Sequence, residues 1–120
     1  MSILSKLFGQ KQKPQPAQSG EHAVIVNFGY GSADLEPVFA LSERLEQAIL
    51  AASAGEFDGN EIAADGSDGS LYMYGPDADR LFAVVRPILE SAAFLRAARV
   101  KLRYGPAGTG AREQVIALGA

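Results

Sequence analysis

The sequence predicts an α+β fold in two layers. Two helices lie on one face of an antiparallel sheet, in the order β-α-β-β-α-β, with one further strand at the C-terminus. Three observations predict it. The segments "HAVIVNF", "SLYMYG" and "ARVKLRYG" are β-branched or strictly alternating, and each is bounded by Gly or Pro, as strands are. Two intervening segments carry apolar residues at steps of three and four, the period of a helical face. The chain has 120 residues and is 48% hydrophobic, which suits one globular domain.

Residues 1–21 stand apart from the predicted domain at 22–120. "GQKQKPQPAQSGE" is rich in Gln, Pro, Lys and Gly and has no apolar period, so it reads as a flexible linker. Before it, Ile3, Leu4, Leu7 and Phe8 would share one side of a two-turn helix, within a peptide 1–13 that could dock in a partner's groove. Helices this short are marginal in water, so a frayed terminus is the plainer reading.

The domain then runs in order. His22 to Phe28 is the first strand. In "LEPVFALSERLEQAILAASAG", Val38, Leu41, Leu45, Ile49 and Ala52 make one helical face. Pro37 suits the first turn, where its missing N–H costs nothing, and Gly55 suits the stop. "EFDGNEIAAD" is a weaker strand with Ile62 and Ala64 on one face, and "SLYMYG" a stronger one. Asp77 can cap the second helix, along which Leu81, Val85, Ile88, Ala92 and Leu95 keep the period; Pro87 predicts a kink or break. In the fourth strand Val100, Leu102 and Tyr104 alternate with Arg99, Lys101 and Arg103. "REQVIAL" is the last strand.

Both halves run from a strand through an aromatic-Gly pair to Ala-Asp and a helix: "NFGYGSADLEPVF" and "MYGPDADRLF". Two such halves make the split βαβ arrangement of a ferredoxin-like sheet. The "DGSDG" to "LYMYGPDAD" core, within residues 22–104, resembles small bacterial proteins of uncharacterised role with that fold. The resemblance implies the fold and no activity.

Several chemistries are disfavoured. With no cysteine, disulfides, thiolate metal sites and thiol catalysis are excluded, and a reducing, cytoplasmic setting is expected. No stretch approaches the roughly 18 apolar residues of a membrane span. The carboxylates of "DGSDGSLYMYGP" fail as a calcium loop: the required glycine is Ser70 and the closing glutamate is Pro76. Asp-Gly pairs between strands mark a turn instead, so no metal is expected. In "FGYGSAD", Gly29, Gly31 and Ser32 suggest a small-anion turn ahead of a helix. Asp34, where a dinucleotide turn has its third glycine, opposes a pyrophosphate, so no cofactor is expected. His22 is the only histidine, and no nucleophile, base and orienting group fall together, so no enzyme activity is expected; the alternative is a small ligand-binding domain or enzyme that uses the Gly29 to Asp34 turn.

The binding candidates are Tyr72, Tyr74, Arg99, Lys101 and Arg103. If Leu71, Met73, Val100 and Leu102 face the helices, these five share the sheet's open face. Aromatics and bases there suit a protein contact, self-association or single-stranded RNA. A net charge of −3 makes nucleic acid the weaker partner, and a solvated basic row is the plainest alternative. A protein partner or a second copy is therefore expected. From linker composition, deleting residues 1–20 should leave the thermal midpoint unchanged. A midpoint several degrees lower in a calorimetric scan would show that this segment packs on the domain.

Overall fold

The computed structural model describes residues 21–119. The expected linker and the docking peptide 1–13 therefore lie outside the described residues. Strands β1 (His22–Gly29), β2 (Glu56–Ile62), β3 (Asp68–Gly75), β4 (Arg99–Arg103) and β5 (Glu113–Ala117) form one antiparallel sheet in the order β2-β3-β1-β4-β5. Helices α1 (Glu36–Ala52) and α2 (Ala78–Glu90) lie between β1 and β2 and between β3 and β4 in the chain. No described helix is long and apolar enough to cross a membrane.

One core holds the layers together. Val24, Val26 and Phe28 of β1, Leu71 and Met73 of β3, and Val100 and Leu102 of β4 are buried in the same cluster as Val38, Leu41, Leu45 and Ile49 of α1 and Leu81, Val85 and Leu89 of α2. Strand side chains alternate between faces, so both helices cover the same face. Burying each of these aliphatic side chains contributes about 1.5–3 kcal/mol.

The helix ends are tied to one another. Arg80, in the first turn of α2, donates from Nη2 to the carbonyl of Ala52 (2.5 Å) and from Nη1 to that of Ser53 (3.4 Å), satisfying acceptors at the end of α1. Arg44 of α1 donates to Ser91 Oγ just beyond α2 (3.2 Å), so the helices run antiparallel. Asp77 caps α2 by accepting from the N–H groups of Asp79 and Arg80 (3.0 and 3.2 Å). His22 Nδ1 accepts the N–H of Ala78 (3.0 Å), which gives the lone histidine a structural role.

Four sequence expectations need adjustment. The left-handed residue ending α1 is Ser53 (φ 50°), not Gly55. Gly55 serves a different need. Its φ of 144° and a would-be Cβ 2.0 Å from the Tyr74 carbonyl oxygen let the connection to β2 cross the end of β3. Helix α2 is continuous through Pro87 and ends three residues later, with Ala93–Leu95 in a 3₁₀ turn. The acceptor that Pro87 leaves unpaired belongs to exposed Ala83, where water can reach it, while buried Leu89 anchors the last turn. Strand β2 stops at Ile62, so Ala64 falls in the turn to β3, and Tyr104 lies just beyond β4.

Of the two Asp-Gly pairs, Asp65-Gly66 forms that turn, whereas Asp68-Gly69 begins β3 and pairs with Gly29 and Phe28. Asp65 Oδ1 accepts from the N–H and hydroxyl of Ser67 (2.9 and 2.6 Å). Gly66 takes φ 76°, and a Cβ there would meet the Ser32 carbonyl at 2.6 Å. The left-handed end of α1 generates a stability prediction. Glycine adopts that conformation without the steric cost borne by Ser53, so Ser53→Gly should stabilise the protein by about 0.5–1 kcal/mol. Denaturant unfolding at constant m-value measures it. A loss of stability would mean that the Ser53 side chain contributes more than its backbone costs.

Candidate functional site

Among the described residues, no element covers the second face of the sheet. Strand register builds it as three rows across β2, β3, β1, β4 and β5. The first row is Glu56, Tyr74, Ala23, Arg103 and Glu113. The second is Gly59, Tyr72, Ile25, Lys101 and Val115. The third is Glu61, Ser70, Asn27, Arg99 and Ala117. Read down the strands, the face has an acidic column on β2, an aromatic one on β3, Ile25 at the middle of β1 and a basic one on β4.

All five binding candidates fall on this face. Tyr72, Tyr74, Lys101 and Arg103 are partly buried and Arg99 is exposed. The inward set between them, Leu71, Met73, Val100 and Leu102, is buried in the core. Tyr104, of the same parity as Val100 and Leu102, points toward α2 at the sheet's end. Its hydroxyl donates to Asp79 Oδ1 of α2 (2.7 Å) and lies 3.0 Å from the Gln114 amide oxygen, with the Arg112 guanidinium 4.1 Å above its ring.

The face is partly organised within the chain. Tyr72 donates its hydroxyl to Glu61 Oε1 (2.9 Å), and Ser70 donates to Asn27 Oδ1 (2.8 Å). Lys101 Nζ is 4.0 Å from Glu113, an exposed pair that contributes little. Arg103 Nε donates to the Gly105 carbonyl (2.7 Å). The Arg99 guanidinium has no hydrogen-bond or ion-pair partner among the described residues and borders a depression shared with Asn27, Asp68 and Ser70.

Burial raises the pKa of both face tyrosines, assisted by Glu61 at Tyr72 and by the charge of Asp58 at Tyr74. They are neutral donors at physiological pH, with apolar rings that need no charged partner. At the opposite extreme, the hydroxyl and N–H of Ser67 hold the Asp65 carboxyl below its usual range.

The proposed anion turn is arranged differently. The N–H groups of Gly31 and Ser32 both donate to the Gly66 carbonyl (2.6 and 3.3 Å), and that of Tyr30 to the Ser67 carbonyl (2.7 Å). Asp34 accepts the Glu36 N–H at the start of α1 (3.1 Å), and Ser32 Oγ accepts the Asp34 N–H (3.0 Å). The donors that would have held an anion instead fasten this turn to the one between β2 and β3. Gly29, the remaining residue of the suggested site, pairs with Asp68 in the sheet.

Sequence reasoning missed the acidic column and Ile25. A bulge between Phe57 and Gly59 inverts the alternation of β2, so Glu56 and Glu61 share a face despite their odd spacing. Asp58-Gly59 was the available signal. In "AVIV", four consecutive apolar residues hide which of them point outward, and only pairing with Tyr72 and Lys101 places Ile25 on the open face. Asp65 belongs to the turn rather than to this face.

The fold and face together define an α+β domain with an uncovered sheet surface carrying tyrosines between opposite charges. Comparison with protein-family models, with curated proteins and with solved structures gives no match.

The raised tyrosines set a pH dependence. A raised folded-state pKa contributes stability that is complete below the unfolded value near 10 and is lost as pH rises through the folded value. Stability should therefore fall above about pH 10, and Tyr72→Phe should shallow that fall. Denaturant melts across the alkaline range measure it. Identical slopes for wild type and variant would mean that Tyr72 ionises as freely when folded as when unfolded.

Proposed function

We propose that this protein is a non-enzymatic binding module that engages another protein through the open face of its sheet. The observation that carries the proposal is the pattern on that face. Tyr72, Tyr74 and Ile25 form a partly buried centre, and charges of opposite sign flank it on β2 and β4. Interfaces have this anatomy, with aromatics at the centre, a polar rim, and Tyr and Arg as anchors. Tyrosine supplies contact area with little rotamer entropy to lose.

Single-stranded RNA fits the face less well. Base stacking requires phosphates to run past the rings, and Glu56, Asp58 and Glu61 would lie along that path. The order β2-β3-β1-β4, with both helices against one face, supports a ferredoxin-like assignment for the first four strands and the likeness to small bacterial proteins of that fold. That fold hosts many functions, so the reading rests on the face rather than on the topology. A chain without cysteine is compatible with a cytoplasmic setting.

Replacing Tyr72 and Tyr74 together with Ser should abolish capture of protein partners by cross-linking in cells, while Lys101→Ala retains most of it. The folded state of each variant is checked by a denaturant melt. Partners captured equally by wild type and by a folded double variant would overturn the proposal. Unfolding of the double variant would give the rings a role in holding the sheet together; Tyr72→Phe and Tyr74→Phe, which keep the rings, then carry the comparison against Arg99→Glu.

A further inference from the structure

We propose that the occupant of this face is a second copy of the same chain, related by a twofold axis that lies between the two sheets and runs parallel to the strands over the β3–β1 ladder. The inference rests on the reading of the open face as a protein contact and adds the partner and its orientation.

The argument is one of symmetry and charge. With the two sheets packed in the aligned mode, a face-to-face twofold contact places its axis along the strands or across them. An axis across the strands stacks each strand on its own copy, setting the acids of β2 against acids and the bases of β4 against bases. An axis along the strands reverses the strand order and sets unlike columns together. Its position is also restricted. Over β1 it would bring β2 onto β5, with Glu56 facing Glu113. Over the β3–β1 ladder it brings β2 onto β4 and β3 onto β1, and leaves β5 outside the contact.

In that arrangement the rows keep their order. Glu61 approaches Arg99 of the second copy, Glu56 approaches its Arg103, and Tyr72 lies over its Ile25. Each contact occurs twice. The apolar and aromatic side chains meet at the axis and the charges lie outside them, as in the centre and rim of a specific interface. Aligned packing of two sheets, near −30°, tolerates this alignment of strand directions. Like-charge juxtaposition disfavours an axis across the strands and an axis over β1, and of the placements along the strands the one over the β3–β1 ladder sets the acids of β2 against the bases of β4.

A charge swap tests the geometry. Within one chain Glu61 and Arg99 are separated by three strand spacings, about 14 Å, so they cannot pair with each other there. Sedimentation of the full chain from micromolar to millimolar concentration should show a monomer–dimer equilibrium that weakens with added salt. Arg99→Glu should raise the dimer dissociation constant about tenfold or more, and Glu61→Arg should do the same. The double variant Glu61→Arg/Arg99→Glu should return it to near the wild-type value, because each new arginine meets a new glutamate of the other copy. Thermal midpoints confirm that all variants are folded. A dimer unaffected by either single reversal forms elsewhere, for example along the β5 edge, and overturns the proposal. A wild-type chain that stays monomeric at millimolar concentration also overturns it. If that monomer still captures another protein through Tyr72 and Tyr74, the binding-module reading survives without the second copy.

Discussion

The structure depends on the register of β1. This strand is central, hydrogen-bonded to β3 on one side and β4 on the other. Its Val24, Val26 and Phe28 point into the core with the helices, and that fixes the facing of every neighbour. A slip of one residue would send those three side chains to solvent and bring Ile25 and Asn27 inward. Leu71 and Met73 on one side, and Val100 and Leu102 on the other, are buried because they share the parity of β1. The tyrosines and bases are left on the open face for the same reason.

The ends of the sheet show how that register is defended. The turn after β1 and the turn between β2 and β3 are bound together by the N–H groups of Tyr30, Gly31 and Ser32 on the carbonyls of Gly66 and Ser67. A side chain at Gly66 would close the gap that admits Ser32. At the opposite end, His22 holds the first turn of α2, and Gly55 lets the α1–β2 connection cross Tyr74. Residues that look functional in the sequence, the lone histidine and the glycine-rich turn, are engaged in these clasps. Polar groups already satisfied by backbone partners have little left to offer a ligand.

Among the described residues, two helices cover one face of five strands and no element covers the other. That second face carries Tyr72, Tyr74 and Ile25 at its centre and charges of opposite sign on β2 and β4. On the proposed reading, such a distribution suits a second copy better than a uniformly charged polymer, in keeping with the acidic balance of the chain.

Strand and helix identity, the inward set of β3 and β4, and the positions of Tyr72, Tyr74, Arg99, Lys101 and Arg103 were legible in the sequence alone, because period-2 and period-3.6 patterns are properties of neighbouring residues. The Asp65-Gly66 turn was legible for a similar reason, since its hydrogen bonds lie within a few residues. The tertiary structure decided the rest. Only β2 pairing with β3 reveals the bulge that brings Glu56 and Glu61 to the open face, and only β1 lying between β3 and β4 places Ile25 there. The fate of the Gly31 and Ser32 donors depended on a carbonyl more than thirty residues away. Whether α2 stops at Pro87 depended on the burial of Leu89. Each of these outcomes is set by contacts between segments distant in the chain, and a local pattern carries no information about which distant segment arrives.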